Sequence, residues 1–382
     1  MDNVCHTLVG AACAHAGFAK PARFAAATSM IAANLPDVDV LVYATDVPAV
    51  AFRRGWTHGV LAQALLPVAL AGVMVLAARS FSRRRTDRER AKFAPLLILA
   101  YIGVLSHVVL DYLNNYGVRL LMPFDNRWFY GDTLFIIDPW LWVLFGTAVA
   151  AGRHGRVRHS RVWLCLASIY IVCMAGSAFA ARHHVVDSWR EQRGREPRAF
   201  MVGPVPVNPL RKAIIIDDGD RYYSGTFTWL PLGITFSDTP VLKHADDPAV
   251  AAARQDARVA GLLVWARFPF WEINPVPDGK EVVVRDMRFT AIRRGGFSAR
   301  TVVMTRSESV TRPSLLPRHV RADCHPTKIG IARARGKYKK ARDARQLRDR
   351  AASGCRNPDT DSTGPTSPKR RTRSSDSSTP PP

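Results

Sequence analysis

Long apolar runs alternate with short charged breaks in the first half of the chain. Four of these runs, residues 60–78, 93–113, 134–151 and 162–181, are long enough as helices to cross a bilayer core of about 30 Å. The pattern predicts four transmembrane helices. The first and last carry no charged residue, the second carries His107 and Asp111 near its C-terminal end, and the third carries Asp138 near its N-terminal end. Ahead of them, residues 3–35 read as two short apolar helices broken around residues 17–21. Each is short for a crossing, so a re-entrant or interfacial hairpin is expected. Pro36 ends the second of these helices. The hairpin returns the Pro-Asp-Val-Asp run at 36–39 to the face that carries His6, and FRRGWTHG (52–59) leads into the first span. The first residues do not read as a signal peptide: they lack a basic start, and Lys20 and Arg23 interrupt the apolar run.

Beyond residue 181 the period changes. IIIDD, RYYSGTFTWL, EVVVRDMRFTAI and ARTVVMT are β-branched or aromatic runs separated by Gly, Pro and Asp, which reads as strands. Residues 246–268 read as helix behind an Asp-Asp-Pro start. From residue 311 the chain is rich in Arg and Lys and then in Ser, Thr and Pro, a composition that cannot bury a core. The fold class is mainly α: a polytopic helical membrane domain over 1–181, a small extracytoplasmic α+β or β-rich domain over 182–310, and a basic disordered tail over 311–382. One sequence leaves open whether that tail is functional or an extension produced by a shifted reading frame.

Charge orients the spans. The formal net charge is +23, carried largely by the tail and by two loops. The loop 79–92 holds Arg79, Arg83, Arg84, Arg85, Arg88, Arg90 and Lys92, and the loop 152–161 adds four more arginines, whereas residues 114–133 hold only Arg119 and Arg127. The basic loops are therefore expected in the cytoplasm, and residues 182 onward outside. His58, His107, Asp111 and Asp138 then share the outer membrane face. Core-packing accidents would not sort them so. A transporter fits this less well, since its polar residues would gather at the bilayer midplane. The basic tail can touch nucleic acid or anionic lipid nonspecifically; no specific nucleic-acid binding is expected. Among the cysteines no CxxC pair appears, and Cys5 beside His6 reads as packing rather than ligand.

His107 and Asp111, four residues apart, point from one helix face, and both are costly near lipid unless paired or coordinated. The candidate metal ligands are His6, Asp37, Asp39, His58, His107, Asp111 and Asp138. His and Asp suit zinc first, with manganese or iron compatible, and such sites often hold two metals that share a carboxylate. With no phosphate-binding Gly-rich loop and no GxSxG motif, a metal-activated water is the economical route to catalysis. Arg54 could grip an anionic substrate. Structural alternatives stand beside each assignment: a buried His–Asp hydrogen bond between helices, a turn or cap for an aspartate of the 36–39 run, and an N-cap for Asp138 before Pro139.

Two strings carry a family resemblance: RRGWTHG (53–59) and LSHVVLDYLNNYGVRLLMPFDNRWFYGDTLFIIDPWLW (105–142). They resemble the membrane-bound metal-dependent hydrolases of the bacterial inner membrane, a LexA-regulated family long catalogued as a domain of unknown function. That family's pattern is an N-terminal His in a short helix, a PDxD turn, an R-G-x-T-H-S box, H-x-x-x-D-x-x-N-x-Y-G, P-F and D-P. Here the matching residues are His6, Pro36 to Asp39, Arg54 to His58, His107 to Asp111 with Asn114 to Gly117, Pro123 with Phe124, and Asp138 with Pro139. Gly59 departs from it, standing where the family usually has Ser. The resemblance covers about residues 1–180, extends loosely over the outer domain and leaves out the tail. It implies a membrane hydrolase with Asn114 and Tyr116 positioning substrate beside Arg54. A more distant similarity of the His…Asp…His…HxxxD order to zinc-dependent phospholipase C and related nucleases points to an envelope or lipid-linked ester, a phosphoester first. Membrane lipid and a small-molecule or lipid-linked substrate are the expected partners. The alternative is a non-catalytic protein, either a metal-stabilised membrane scaffold or a stress-regulated partner-binding protein.

Overall fold

The computed structural model describes residues 1–18, 22–81, 92–277, 279–290 and 297–304, all of which fall in one compact unit, Met1–Glu308. Most of the basic 79–92 loop and the whole of the expected tail lie outside the described residues. The N-terminal half is helical, with α1 (Asn3–His15), α2 (Ala25–Ala32), a 3-10 segment (Leu35–Ala44), α3 (Ala49–Phe52), α4 (Val60–Ser80), α5 (Phe93–Tyr112), α6 (Pro139–Arg153) and α7 (Val157–Arg193). Three of these, α4, α5 and α7, are long and apolar enough to cross a membrane. The two short helices expected over residues 3–35 are α1 and α2, on either side of residues 17–21; the pair bent by 52° that could form a broken span or a re-entrant loop is a different one, α2 with the 3-10 segment.

The expected span over 134–151 is not confirmed. Its hydropathy continues through Leu134 to Ile137, but that stretch is irregular, and the helix starts only at Pro139, behind the Asp138 cap. Fifteen residues remain in α6, about 22 Å of helix against a core of about 30 Å.

Alternating chain direction gives the bundle a basic end and a site end. Arg79 closes α4, Lys92 caps α5, Arg153 closes α6 and Arg156 caps α7, all at the basic end. α1 runs from the opposite end, where the Asp2 N–H donates to Ile136 O (3.1 Å), to the basic end, where Ala16 O accepts from Arg161 Nε (2.8 Å). Two glycines let α1 and α5 close on α2. A Cβ on Gly10 would lie 2.6 Å from Ser29 O, and one on Gly103 would lie 2.6 Å from Ala32 Cβ. This close approach sets the C-terminal end of α2 against α5, one helical turn below His107.

α7 does not stop at the membrane. It continues unbroken to Arg193, where Gly194 at φ 67° ends it in the left-handed conformation favoured at helix C-termini. Its last turns carry Ala181, Val185 and Trp189 into a core with Val202, Ile214, Ile216, Tyr223 and Phe227. Those residues belong to an antiparallel sheet ordered β1 (Ala199–Pro204), β2 (Arg211–Asp217), β3 (Arg221–Trp229), β4 (Leu232–Phe236), with β5 (Val241–Leu242) also pairing β3. Two short helices, α8 (Pro248–Ala253) and α9 (Ala257–Trp265), lead to a second antiparallel sheet of β6 (Pro269–Val276), β7 (Gly279–Asp286) and β8 (Ser298–Met304). The four strand-like runs correspond to β2, β3, β7 and β8, and the expected helix resolves into α8 and α9. The run through EVVVRDMRFTAI leaves the strand at Asp286 and turns into a short 3-10 segment, Met287–Phe289.

Candidate metal centre

At the site end, the last turns of α5 bring His107 and Asp111 against the turn that precedes α4 and the start of the 3-10 segment. His58, His107 and Asp111 have no exposed surface, and Asp37 and Asp39 have almost none. Four side chains converge, one ligand atom from each of Asp37, His58, His107 and Asp111, all within 4.8 Å of one another. The His58 and His107 Nε2 atoms are 3.1 Å apart, and each lies 3.5 Å from Asp111 Oδ2 and 4.0 Å from Asp37 Oδ1. Ligands around a tetrahedral zinc, bound at about 2.0–2.1 Å, stand about 3.3 Å apart. The three-residue set His58, His107, Asp111 fits that spacing closely, with Asp37 slightly outside it.

Proton placement decides what the imidazoles can do. His107 Nδ1 lies 2.7 Å from Ala33 O, which can only accept, so Nδ1 carries the hydrogen and Nε2 of the neutral ring turns a lone pair into the cluster. His58 Nδ1 faces Thr57 Oγ1 at 3.0 Å and Asp39 Oδ2 at 3.5 Å. Its hydrogen is likewise held outward and its Nε2 points inward. Burial pushes the His58 imidazole below its ordinary range, with the Asp111 carboxylate pulling the other way. Two nitrogen lone pairs and two carboxylates therefore meet in a site without water access, which favours a cation. Asp111 Oδ2 accepts no hydrogen bond, and neither does Asn114 Nδ2 donate one.

Surrounding groups orient this set. Asp39 is not among the four: its Oδ2 accepts from the Arg54 backbone N–H (2.7 Å) and from Thr57 Oγ1 (3.2 Å), while its Oδ1 accepts from Arg53 Nε (3.1 Å). It fixes the His58 turn. Arg53 also reaches Asp37 Oδ1 at 3.0 Å. Arg54 holds a left-handed backbone at φ 54°, a conformation that costs a non-glycine residue about 1–3 kcal/mol and collects at functional sites. Its guanidinium is engaged throughout, with Nη2 donating to Asp111 Oδ1 (3.1 Å), Nη1 donating to Asn114 Oδ1 (3.1 Å), and Nε lying 3.0 Å from Asp111 Oδ2.

The other candidates sit elsewhere. His6 stacks on His107 with ring centroids 3.8 Å apart, and its Nε2 lies 3.4 Å from Asp111 Oδ1. It stands beside the cluster, and neither ring nitrogen makes a hydrogen bond. The amine of Met1 also contacts Asp111 Oδ1. Asp138 is outside the four converging residues. Its Oδ1 caps α6 by accepting from the Trp140 and Leu141 N–H groups, and its Oδ2 accepts from the Tyr170 hydroxyl (2.9 Å). The capping alternative therefore describes its carboxylate. Asn114 accepts from Arg54 and from Tyr116 N (2.7 Å). Tyr116 packs on Trp265 of α9, with the Arg54 guanidinium 4.4 Å above its ring. It joins the two halves of the unit. Cys5 is buried in an apolar cluster with Val9, Leu110 and Leu134.

Two contributors had no side-chain signal in the sequence. Ala33 acts through its backbone carbonyl, and nothing in the sequence marks Arg53, one of two adjacent arginines, as the partner of Asp37 and Asp39. The Gly10 and Gly103 approach that places Ala33 could have been sought as small residues at a helix crossing.

Residues 1–185 match the family described as YdjM inner membrane protein, the LexA-regulated family whose motifs the sequence carries. A protein of Bacillus subtilis (strain 168) named "Uncharacterized protein YfhP" is 22% identical over 269 residues, covering 68% of this chain and 76% of the relative. No solved structure matches.

Proposed function

We propose that this is an integral membrane metal-dependent hydrolase acting on an envelope or lipid-linked ester, with a phosphoester the first candidate and zinc the first metal. One observation carries the reading: the two inward-facing Nε2 lone pairs, 3.1 Å apart, converge with Asp111 Oδ2 in complete burial. His58, His107 and Asp111 would hold the ion. Asp37 lies farther, at 4.0 Å from both imidazoles, and a three-ligand set without it would leave a fourth position for exchange, as catalytic zinc sites do. When bound, the metal supplies a polarised electrophile and an acidified water near neutral pH. The chain's own groups set up the rest. Asp39 and Ala33 O hold the two imidazoles in their ligating tautomers, Arg54 fixes Asp111 through two nitrogens, and burial keeps competing solvent away. Arg54 acts on substrate only through charge, since its donors are already committed. Asn114 keeps one amide hydrogen pair free, on Nδ2, and is the better candidate for a direct substrate contact.

The four-residue set also suits a structural metal, because structural zinc sites are closed by four protein ligands. On that reading the protein is a metal-stabilised membrane scaffold. Metal analysis of chelator-free, detergent-purified protein tests the common premise: about one ion or more per chain in the wild type and background in His107→Ala. Equal, negligible metal in both removes the hydrolase and the metal-scaffold readings together. Given metal, turnover of a phosphodiester and phospholipid panel by wild type but not by His107→Ala separates enzyme from scaffold. The site end and the sheets face the outside of the cytoplasmic membrane, so a reporter fused after Gly194 reads as external. A cytoplasmic signal there breaks the orientation.

A further inference from the structure

Three of the four converging residues have no exposed surface; Asp37, at 6%, is the one that reaches the protein exterior. What it reaches is an open groove of about 500 Å³ between α1, the end of α2 and the 3-10 segment, lined by Asn3, Thr7, Met30, Ile31, Leu35 and Val38 together with Asp37. That volume falls in the range of about 300–1,000 Å³ typical of small-molecule sites. Two apolar residues of its lining are exposed, Ile31 at 44% and Val38 at 43%. An exposed apolar surface on a bent pair with the length and composition of a broken span or re-entrant loop suits contact with lipid. The inner corner is polar instead. Asn34 Nδ2 donates to Thr7 Oγ1 (3.0 Å), and Thr7 Oγ1 donates to Asn3 O (2.7 Å). Elsewhere the cluster is closed by Arg54 and Asn114, with the Tyr116–Trp265 contact beyond them.

From this we propose that the groove holds the acyl chain of a membrane lipid and presents its polar head to the metal cluster at Asp37, so that substrate enters sideways from the bilayer rather than from the aqueous phase. The inference rests on the metal-centre reading for the purpose of the head, while the chain site stands on the groove itself. An open groove with apolar lining, a polar corner and the Asp37 carboxylate at its border matches an amphiphile whose tail and head part at that point. A soluble phosphoester would instead need an opening through the Arg54 and Tyr116 side.

The test uses full-length protein in nanodiscs of phosphatidylethanolamine and phosphatidylglycerol that contain a trace of phosphatidylglycerol with a diazirine in mid-acyl chain. After illumination, peptides covering residues 3–7 and 30–38 should be labelled about tenfold more than the exposed Leu65 and Val73 face of α4, the ratio produced by about 1.4 kcal/mol of preference. Ile31→Trp, which fills the groove from an exposed position, should abolish that excess; Val73→Trp should leave it. Labelling spread evenly over the groove and α4, or an excess that survives Ile31→Trp, overturns the proposal by showing only annular lipid. Metal content measured on the same samples keeps the two ideas apart. Groove labelling without metal sinks the hydrolase and leaves the lipid site, whereas metal with even labelling does the reverse.

Discussion

Two buried polar clusters flank the turn at residues 114–117, and they differ in how completely they are paired. On the side of the sheets, Arg288 and Asp286 have fully buried side chains. Asp286 accepts from the backbone N–H groups of Arg267 (2.6 Å) and Arg288 (2.9 Å) and from the Arg288 guanidinium. Arg288 donates onward to Asn115 O (2.9 Å) and Trp265 O (3.1 Å) and lies 4.3 Å over the Trp265 ring. On the side of the helices, Arg54 reaches the same turn through Asn114, but behind it stand two facing imidazole lone pairs, an Asp111 Oδ2 answered only by the Arg54 ion pair, and a His6 ring with no hydrogen bond. The first cluster has every donor answered and reads as a clamp between the halves. The second is built from the same residue chemistry and left incomplete, which is the mark of a site that takes a ligand.

Breaking the clamp should have the largest effect. Asp286→Ala leaves Arg288 buried without its carboxylate, a change that costs about 3–5 kcal/mol, and denaturant unfolding in detergent should show it. The loss should be the same with and without chelator, because the clamp does not depend on the metal site. A chelator-dependent loss would mean that the two clusters are one cooperative network and would erase the contrast.

Completing or removing the second cluster comes next. A metal present at about a thousand times its dissociation constant stabilises the fold by about 4 kcal/mol, so chelation should lower the wild-type melting temperature while leaving His107→Ala unmoved. His107→Ala without metal should cost less than Asp286→Ala, since it also relieves the Nε2–Nε2 confrontation. If His107→Ala without metal is the more damaging of the two, the membrane cluster is a structural clamp after all.

The asymmetry between the clusters also explains what was readable in advance. His58, His107, Asp111 and Asp37 sit at fixed spacings next to apolar runs, so periodicity, charge-derived topology and motif order all pointed at them. Arg288 could not be found that way: its partners at Asn115 and Tyr116 are distant in the chain, and RDMRF looks like the continuation of a strand. Ala33 contributes a carbonyl, which any residue type could supply. The overlong third span has a related cause. Hydropathy sums over residues 134–137 as if they were helix, while the Asp138 cap and Pro139 start α6 behind them. Local chemistry at one capping residue outweighed the average of a window.

The half that carries the sheets has unanswered groups of its own, among them Lys212 and the Trp189 indole N–H. Lys212 on β2 has no exposed surface, and its Nζ has no hydrogen-bond partner. Burial, with Arg182 adding to it, brings the ammonium down to about 8. In the unfolded chain it titrates near 10.4. Between those values the unfolded state binds more protons, so stability should rise as pH climbs from about 8 and level off above the unfolded value. Lys212→Met should raise stability at pH 7 by about 2 kcal/mol and flatten that rise. A variant that is destabilised at pH 7 would show that the lysine is answered by a group that pairs with it, as in the clamp.

The smallest effect belongs to Asp138, where the two kinds of polar role can be told apart on a single residue. Both of its oxygens are occupied, Oδ1 by the first N–H groups of α6 and Oδ2 by the Tyr170 hydroxyl. A cap of this kind is worth about 1 kcal/mol. Asp138→Ala should therefore lower stability by about that amount and leave bound metal at the wild-type level, whereas Asp111→Ala should strip it. Metal loss in Asp138→Ala would return this residue to the ligand set and move the boundary between the answered and the unanswered groups toward α6. Retention would confine the incomplete cluster to the turn before α4, the end of α5 and the start of the 3-10 segment. Of these, the start of the 3-10 segment is the element that also lines the Asp37 groove.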